Sequence, residues 1–382
     1  MLESPPLSLY IHIPWCARKC PYCDFNSHAS EIELPQAEYI TALCDDFDAE
    51  LERTTSAKDK EISSIFIGGG TPSLFDVASL EKLLVHIREK SALAQPLEIT
   101  LEANPGTVEA AKFREFREIG INRLSIGVQS FNDEHLKALG RIHDGREARA
   151  AIEIAKKAGF DNLNLDLMHG LPGQNPKQAI NDLNVAFQYA PAHLSWYQLT
   201  IEPNTLFYRT RPSLPEESLI LEVQDQGFRI LEDHGFQRYE VSAYAQHNRE
   251  CVHNLNYWQF ADYIGIGAGA HGKLTNAEID TIVRTRKLKQ PAHYLNNSIN
   301  RTAECIQIKK DERVLEFLLN ALRIKQGFST KQFMTRTGVP FSSIEKKVEY
   351  LTSKGLLSKT GHKVSTTKIG YGLLNSVLEE FL

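Results

Sequence analysis

No stretch of this sequence approaches the roughly 18 consecutive apolar residues that a membrane span requires. The opening, Met1-Leu2-Glu3-Ser4-Pro5, has no basic region of the kind that begins an export signal. Cysteine is scarce, 6 in 382 residues. Three of the six crowd into eight positions, an odd group that argues against a disulfide framework. No Gly-Lys-Ser or Gly-Lys-Thr follows the glycine run at residues 68–70, so it is not a Walker phosphate loop. The second glycine run, Gly265-Ile-Gly267-Ala-Gly269-Ala-His271-Gly272, lacks the spacing of a dinucleotide fingerprint and reads as a close-packed strand-turn beside a ligand pocket. No basic stripe with interleaved aromatics appears, which argues against a nucleic-acid partner. These absences point to a cytoplasmic protein with reduced thiols.

What is present is ordinary in bulk: 42% hydrophobic and 24% charged residues, enough to build one large domain and a small one. The net charge of −5 is uneven. Residues 305–382 carry 13 Lys and Arg against 7 Asp and Glu, which leaves −11 for residues 1–304 and marks a separate C-terminal module.

Strand-like runs fall at Leu7–Ile13, Ser63–Ile67, Leu97–Leu101, Arg123–Val128, Leu163–Met168 and Leu194–Leu199. They are mostly apolar, as strands covered on both faces should be. Helical patterns lie between them, at Gln36–Leu51, Val77–Lys90, Val108–Ile119, Arg146–Ala158 and Pro176–Tyr189, with Gly120 and Gly159 at expected helix stops. Six such units predict an α/β fold with a parallel sheet, a partial (β/α)6 TIM-like barrel, with a doubly wound sheet as the alternative. Either fold puts functional loops at the strands' C-terminal ends. A helix at Ser218–His234 and a strand at Phe236–Tyr244 follow, then a loop-rich stretch. Residues 306–382 read as three helices and a hairpin, a winged-helix-like order. The expected division is a core over 1–235, a segment over 236–305 completing it, and a C-terminal domain over 306–382.

The chemistry starts at Cys16, Cys20 and Cys23, spaced C-x3-C-x2-C just after the first strand. Three thiolates on one loop suit a [4Fe–4S] cluster with one iron left open. Zinc is the rival, with His12 or His28 as a fourth ligand. Further polar residues recur at successive strand ends: Gly69, Gly70 and Thr71, then Glu102, Gln129, Arg141 and Asp166. A glycine turn allows close backbone approach to a ligand, though a tight strand-to-helix turn would also explain it. A carboxylate at a strand end suits a ribose hydroxyl or an ammonium group. Singly, each of these could be a satisfied structural polar residue.

The cysteine spacing after a strand resembles the radical S-adenosylmethionine (SAM) superfamily. Tyr10-Ile-His-Ile-Pro-Trp-Cys16 is similar to its HemN branch of coproporphyrinogen dehydrogenases, and Cys23-Asp-Phe-Asn26 to the related HemW-type haem chaperones. The closing run Thr367-Lys-Ile-Gly-Tyr-Gly-Leu-Leu-Asn-Ser-Val377 is similar to that family's C-terminal domain. The resemblance implies a radical SAM barrel in which the open iron holds SAM. It also implies SAM contacts at Tyr10, Gly69, Gly70, Thr71, Glu102, Gln129, Arg141 and Asp166, and through the backbone at Tyr22 and Thr200. Two departures set the chain apart from the HemN dehydrogenases. Phe25 stands where they carry a fourth cysteine, and only 15 residues precede Cys16.

His253-Asn254-Leu255-Asn256-Tyr257-Trp258 resembles the H-N-x-x-Y-W signature of the HemW type. His253 is the candidate haem ligand, pictured on a surface loop, with Cys251 as the alternative and a loop-bonding histidine as the plainer reading. Cys44 and Cys305 read as packing thiols. The resemblance thus implies a haem chaperone with a cluster, SAM and haem, delivering haem to haem-requiring acceptor proteins and through them reaching a membrane transiently, with an electron donor compatible. The alternative is a radical SAM enzyme acting on a porphyrin precursor, as coproporphyrinogen III dehydrogenases do.

Overall fold

The computed structural model describes residues 1–30, 33–53 and 60–382. Six parallel strands lie side by side in chain order: β1 (Leu7–Ile13), β2 (Ile62–Gly69), β3 (Leu93–Ala103), β4 (Arg123–Gln129), β5 (Leu163–His169) and β6 (His193–Gln198). A doubly wound sheet would reverse its order at a switch point. This one does not, which settles the choice in favour of the barrel-type winding.

Among the described residues the sheet has twelve strands. Beyond β6 it continues antiparallel through β7 (Gln237–Arg238) and β8 (Ala243–Ala245). Beyond β1 it continues through β9 (Asp262–Ile266), which is parallel to β1, and then antiparallel through β10 (His271–Asn276), β11 (Thr281–Lys287) and β12 (Thr302–Gln307). Two sequence expectations are corrected here. The strand over Phe236–Tyr244 folds back on itself, because Arg238 binds the Val241 carbonyl and Glu240 accepts from the Ser242 amide at 2.8 Å, closing a turn. The stretch after residue 245 holds four strands rather than loops. They are short and broken by Gly and Asn, so their periodicity is weak.

Helices cover the outer face of the sheet. Asp76 caps Val77–Lys90, and capping boxes at Asp144 and Asn175 start Gly145–Lys157 and Pro176–Gln188. The predicted helix over 108–119 is two pieces, Thr107–Ala111 and Phe113–Glu118. At the break, Lys112 reaches back to the carbonyls of Ser73 and Phe75 at 2.5 and 2.9 Å. The C-terminal helices Lys310–Ala321, Thr330–Thr337 and Ser342–Ser353 are followed by the hairpin β13 (Leu357–Thr360) and β14 (Lys363–Thr366), the winged-helix order. Their core takes in Leu2, Phe260 and Ile282 from outside that segment.

The barrel strands are buried on both faces but are not apolar on both. Every second residue is apolar and packs under the helices, as Leu7, Leu9 and Ile11 do on β1. The alternate residues are polar or aromatic: Tyr10, Glu102, Ser125, Asp166, Ser195 and Tyr197. That set faces inward and builds the site.

Candidate functional site

At the C-terminal ends of β1–β6 the barrel opens on a cavity of about 400 Å³, within the range of small-molecule sites. Cys16, Cys20, Tyr22 and Cys23 line it from the loop after β1; Gly69, Gly70 and Thr71 line it after β2. Glu102 comes from β3, Gln129 from β4, Asp166 from β5, Arg141 from the loop after β4 and Thr200 from the loop after β6. Twelve of the thirteen residues expected for the cluster and SAM thus border one space. Tyr10 lies deeper on β1, its hydroxyl donating to His12 Nδ1 at 2.9 Å.

Each cysteine thiol faces a polar neighbour. The Thr71 hydroxyl bonds Cys16, Arg141 Nη1 donates to Cys20 Sγ at 3.6 Å, and Ser27 Oγ meets Cys23 Sγ at 3.6 Å. Burial raises the Cys16 thiol, with the Thr71 bond opposing it. His12 braces the loop. Burial lowers its pKa to about 4, so the ring is neutral. Its Nε2–H donates to the Asn26 carbonyl at 2.9 Å, which leaves Nδ1 to accept from Tyr10. Both ring nitrogens are therefore committed in this arrangement. Among the described residues no three His, Cys, Asp or Glu side chains are grouped to hold a single metal ion. Three thiols spread around one cavity wall fit a cluster bonded at three corners better than a single-ion cage.

The glycine turn has a different rationale from the one its composition suggests. A Cβ on Gly69, at φ +115°, would stand 2.6 Å from the His12 ring, and one on Gly70 would stand 2.4 Å from the Trp15 carbonyl. The turn needs glycine to pack against the cysteine loop. The amides of Gly69, Gly70 and Thr71 donate to Glu102 Oε2, Ile13 O and Trp15 O. What the turn has left for a ligand is acceptors, which suit an ammonium group.

Burial pushes the Glu102 carboxyl up to about 8, with the Gly69 amide opposing and Asp166 reinforcing the rise. Asp166 is also raised by burial, against hydrogen bonds from Asn164, Ser195 and Ser125. Burial works against the Arg141 charge, but Tyr22 and Cys20 hold its pKa above the ordinary value. Its Nη2 donates to Asn104 Oδ1 at 2.6 Å and Gly127 O at 2.8 Å, while Nε is buried without a partner. Gln129 takes a left-handed φ of +67° and accepts from Tyr197 at 2.8 Å. Holding a non-glycine residue there costs of order 1–2 kcal/mol. Asn104, which also donates to Thr71 at 2.8 Å, and Tyr197 were not singled out from sequence. Inward strand parity would have found Tyr197 beside Ser195, and Asn104 lies two places after Glu102.

His253 lies outside this cavity. It sits on the helix Val252–Trp258, not on a surface loop, and only 8% of it is exposed. Its ring packs on Tyr10 and Phe66, its Nδ1 is 3.3 Å from Ser64 Oγ, and burial lowers its pKa to about 3. Its neighbours in the motif are structural joints. Asn256 donates to Ser8 Oγ and Asp262 O at 2.9 Å each, and Trp258 lies 4.3 Å under the Arg323 guanidinium. Cys251 is buried, pushed up to about 12, and donates to Glu98 at 3.6 Å. His271 is exposed. Cys44 is buried as expected, but Cys305 is exposed, because β12 is an edge strand whose residues mostly face outward.

Residues 10–186 match the radical SAM superfamily, and residues 308–372 match the HemN C-terminal domain. The chain is 45% identical to the haem chaperone HemW of Haemophilus influenzae, over 100% of this chain and 99% of that one. It is 45% identical to the HemW of Escherichia coli, with 100% of both covered, and 34% identical to that of Bacillus subtilis, with 98% and 99% covered. Among solved structures it is similar to the coproporphyrinogen III oxidase HemN of Escherichia coli, with a TM-score of 0.82 at 22% identity over 99% of this chain and 90% of that one.

Proposed function

The chain belongs to the HemW family of haem chaperones within the radical SAM superfamily, and from that membership we propose that it binds haem and passes it to haem-requiring proteins. The observation that carries this is the full-length similarity to chaperones at 45% identity, against 22% to the coproporphyrinogen oxidase. A [4Fe–4S] cluster and SAM come with the superfamily. Cys16, Cys20 and Cys23 would hold the cluster. The acceptors left by the glycine turn would take the SAM ammonium, and Glu102 with Asp166 would take its hydroxyl or cationic groups. Gln129 and Arg141 would complete the pocket wall. Bound there, the cluster and SAM would supply one-electron chemistry at a sulfonium. The protein's own part is to enclose them and to keep Arg141 charged beside the Cys20 sulfur.

Among the described residues no helix is long and apolar enough to cross a membrane. The need to keep the cluster thiols reduced supports a cytoplasmic site of action.

The test is anaerobic reconstitution of one sample, followed by haem titration and a coproporphyrinogen III assay. The wild type should take up iron and sulfide, bind haem and leave coproporphyrinogen unchanged. Conversion of coproporphyrinogen would overturn the chaperone reading. Cys16→Ala, Cys20→Ala and Cys23→Ala should each abolish the iron–sulfur absorption band. Full iron and sulfide retained in any of them would refute that cysteine as a ligand.

A further inference from the structure

Beside the cysteine cavity lies a second, shallower one of about 530 Å³, between the cysteine loop and residues 133–147. The two are contiguous, because Arg18 and Arg141 line both. Each cavity has one large apolar side chain exposed at its edge, Phe25 at 58% and Ile142 at 57%. Phe25 lines the cysteine cavity and Ile142 the groove. The loop that carries Phe25 is well held, with the Phe25 carbonyl accepting from Lys19 Nζ at 3.1 Å and from the Ser27 amide at 2.7 Å. An aromatic ring exposed on a held loop is a hydrophobic surface that gains by being covered.

Among the described residues, the groove is lined by three carboxylates and three cations that form no ion pairs with one another. Its carboxylates are engaged with their own backbone: Asp133 accepts from the Gly145 amide at 2.8 Å, and Asp144 and Glu147 form a capping box. Its exposed cations are not engaged: among the described residues neither Arg18 nor Lys137 has an ion-pair or side-chain hydrogen-bond partner. The rim on the other side of the cysteine cavity carries Asp24 and Glu202, which would repel an anion. The surface thus offers exposed apolar side chains beside two cations without side-chain partners, which suits a ligand with an apolar body and anionic groups.

Haem has that form. We propose that haem docks across the rim of the barrel mouth, its macrocycle on Phe25 and Ile142 and its propionates toward Arg18 and Lys137, rather than at His253. This rests on the haem-binding reading above. It places the bound haem beside the cluster loop, and it leaves one macrocycle face and the opposite edge open for transfer to an acceptor. A rim seat also suits a carrier, because exposed ion pairs hold a ligand weakly enough to release it.

The test is titration of reconstituted protein with haem and with haem dimethyl ester, comparing the wild type with Lys137→Glu, Ile142→Ser, the pair combined, and His253→Ala. Iron and sulfide content reports folding in each. Haem should bind the two single rim variants roughly threefold to tenfold more weakly, and the double variant more weakly still. The dimethyl ester should bind the wild type more weakly than haem and should be insensitive to Lys137→Glu. His253→Ala with intact cluster content should bind haem as the wild type does. No haem binding by the wild type would defeat the chaperone reading itself. Tight binding that ignores the rim variants but is lost in His253→Ala, or is lost in none of the variants, would overturn the rim site alone.

Discussion

Glu102 shows how one side chain ties the site to pH. Burial raises its carboxyl from an ordinary 4.5 to about 8, so folding favours the protonated form. The stability it contributes is fully present below about 4.5 and is lost as the pH rises through about 8. Binding a cationic ligand such as SAM would draw the proton off. The affinity for SAM should therefore rise with pH up to about 8, with proton release visible as a buffer-dependent heat in calorimetry. Glu102→Gln should flatten that profile and weaken binding roughly 10- to 100-fold, the cost of about 1.5–3 kcal/mol for a lost hydrogen bond to a charged group. An unchanged profile in the variant would remove Glu102 from the ligand's surroundings. At this scale the sequence was informative where a polar residue ended a strand. It misled about the setting of His253, expected on a surface loop and found on a buried helix face, because a motif does not say whether its histidine faces water or a packed ring.

At the scale of elements, the strands added beyond β1 hold the cysteine loop. Lys287, the last residue of β11, is fully buried and reaches Asp46 Oδ1 and Glu50 Oε1 at 2.5 Å each, both on the helix Gln36–Arg53. Asp46 and Tyr294 in turn bind the Gly267 amide, at 3.3 and 3.1 Å. The neighbouring Ala268 and Lys289 carbonyls accept from Asn26 in the cysteine loop at 2.9 Å. Lys287→Met would strand two buried carboxylates, so the urea-derived stability should fall by about 3–5 kcal/mol. Iron content should fall with it, since the loop loses its brace. A variant as stable as the wild type would show that the buried pair is not needed. None of this was visible beforehand. Residues 245–305 read as loops because their strands are short, and ion pairs between residues more than 200 positions apart leave no periodic trace.

For the whole molecule, the charge asymmetry correctly marked a C-terminal module, yet the module does not own its core. Leu2, Phe260 and Ile282 pack with Phe317, Phe333 and Val348. Arg323 stacks on Trp258 and pairs with Glu240 at 3.5 Å. The full chain should therefore melt as one calorimetric transition. A chain ending at residue 307 would uncover Leu2, Phe260 and Ile282, at about 1.5–3 kcal/mol for each large side chain. Its midpoint should fall by several degrees and its solubility should drop. Two well-separated transitions in the full chain would refute this coupling.

The sequence alone determined the alternation of strands and helices through β1–β6, the placing of three thiols after the first strand, and the polar residues at the strand ends. These depend on local pattern, which hydrophobic periodicity and motif spacing record directly. Tertiary structure decided what those residues meet. It put His253 under Tyr10 and Phe66, spent the glycine turn on His12 and Trp15, and left Phe25 in water beside unpaired cations. Such outcomes depend on which distant segments share a surface, and no local pattern encodes that.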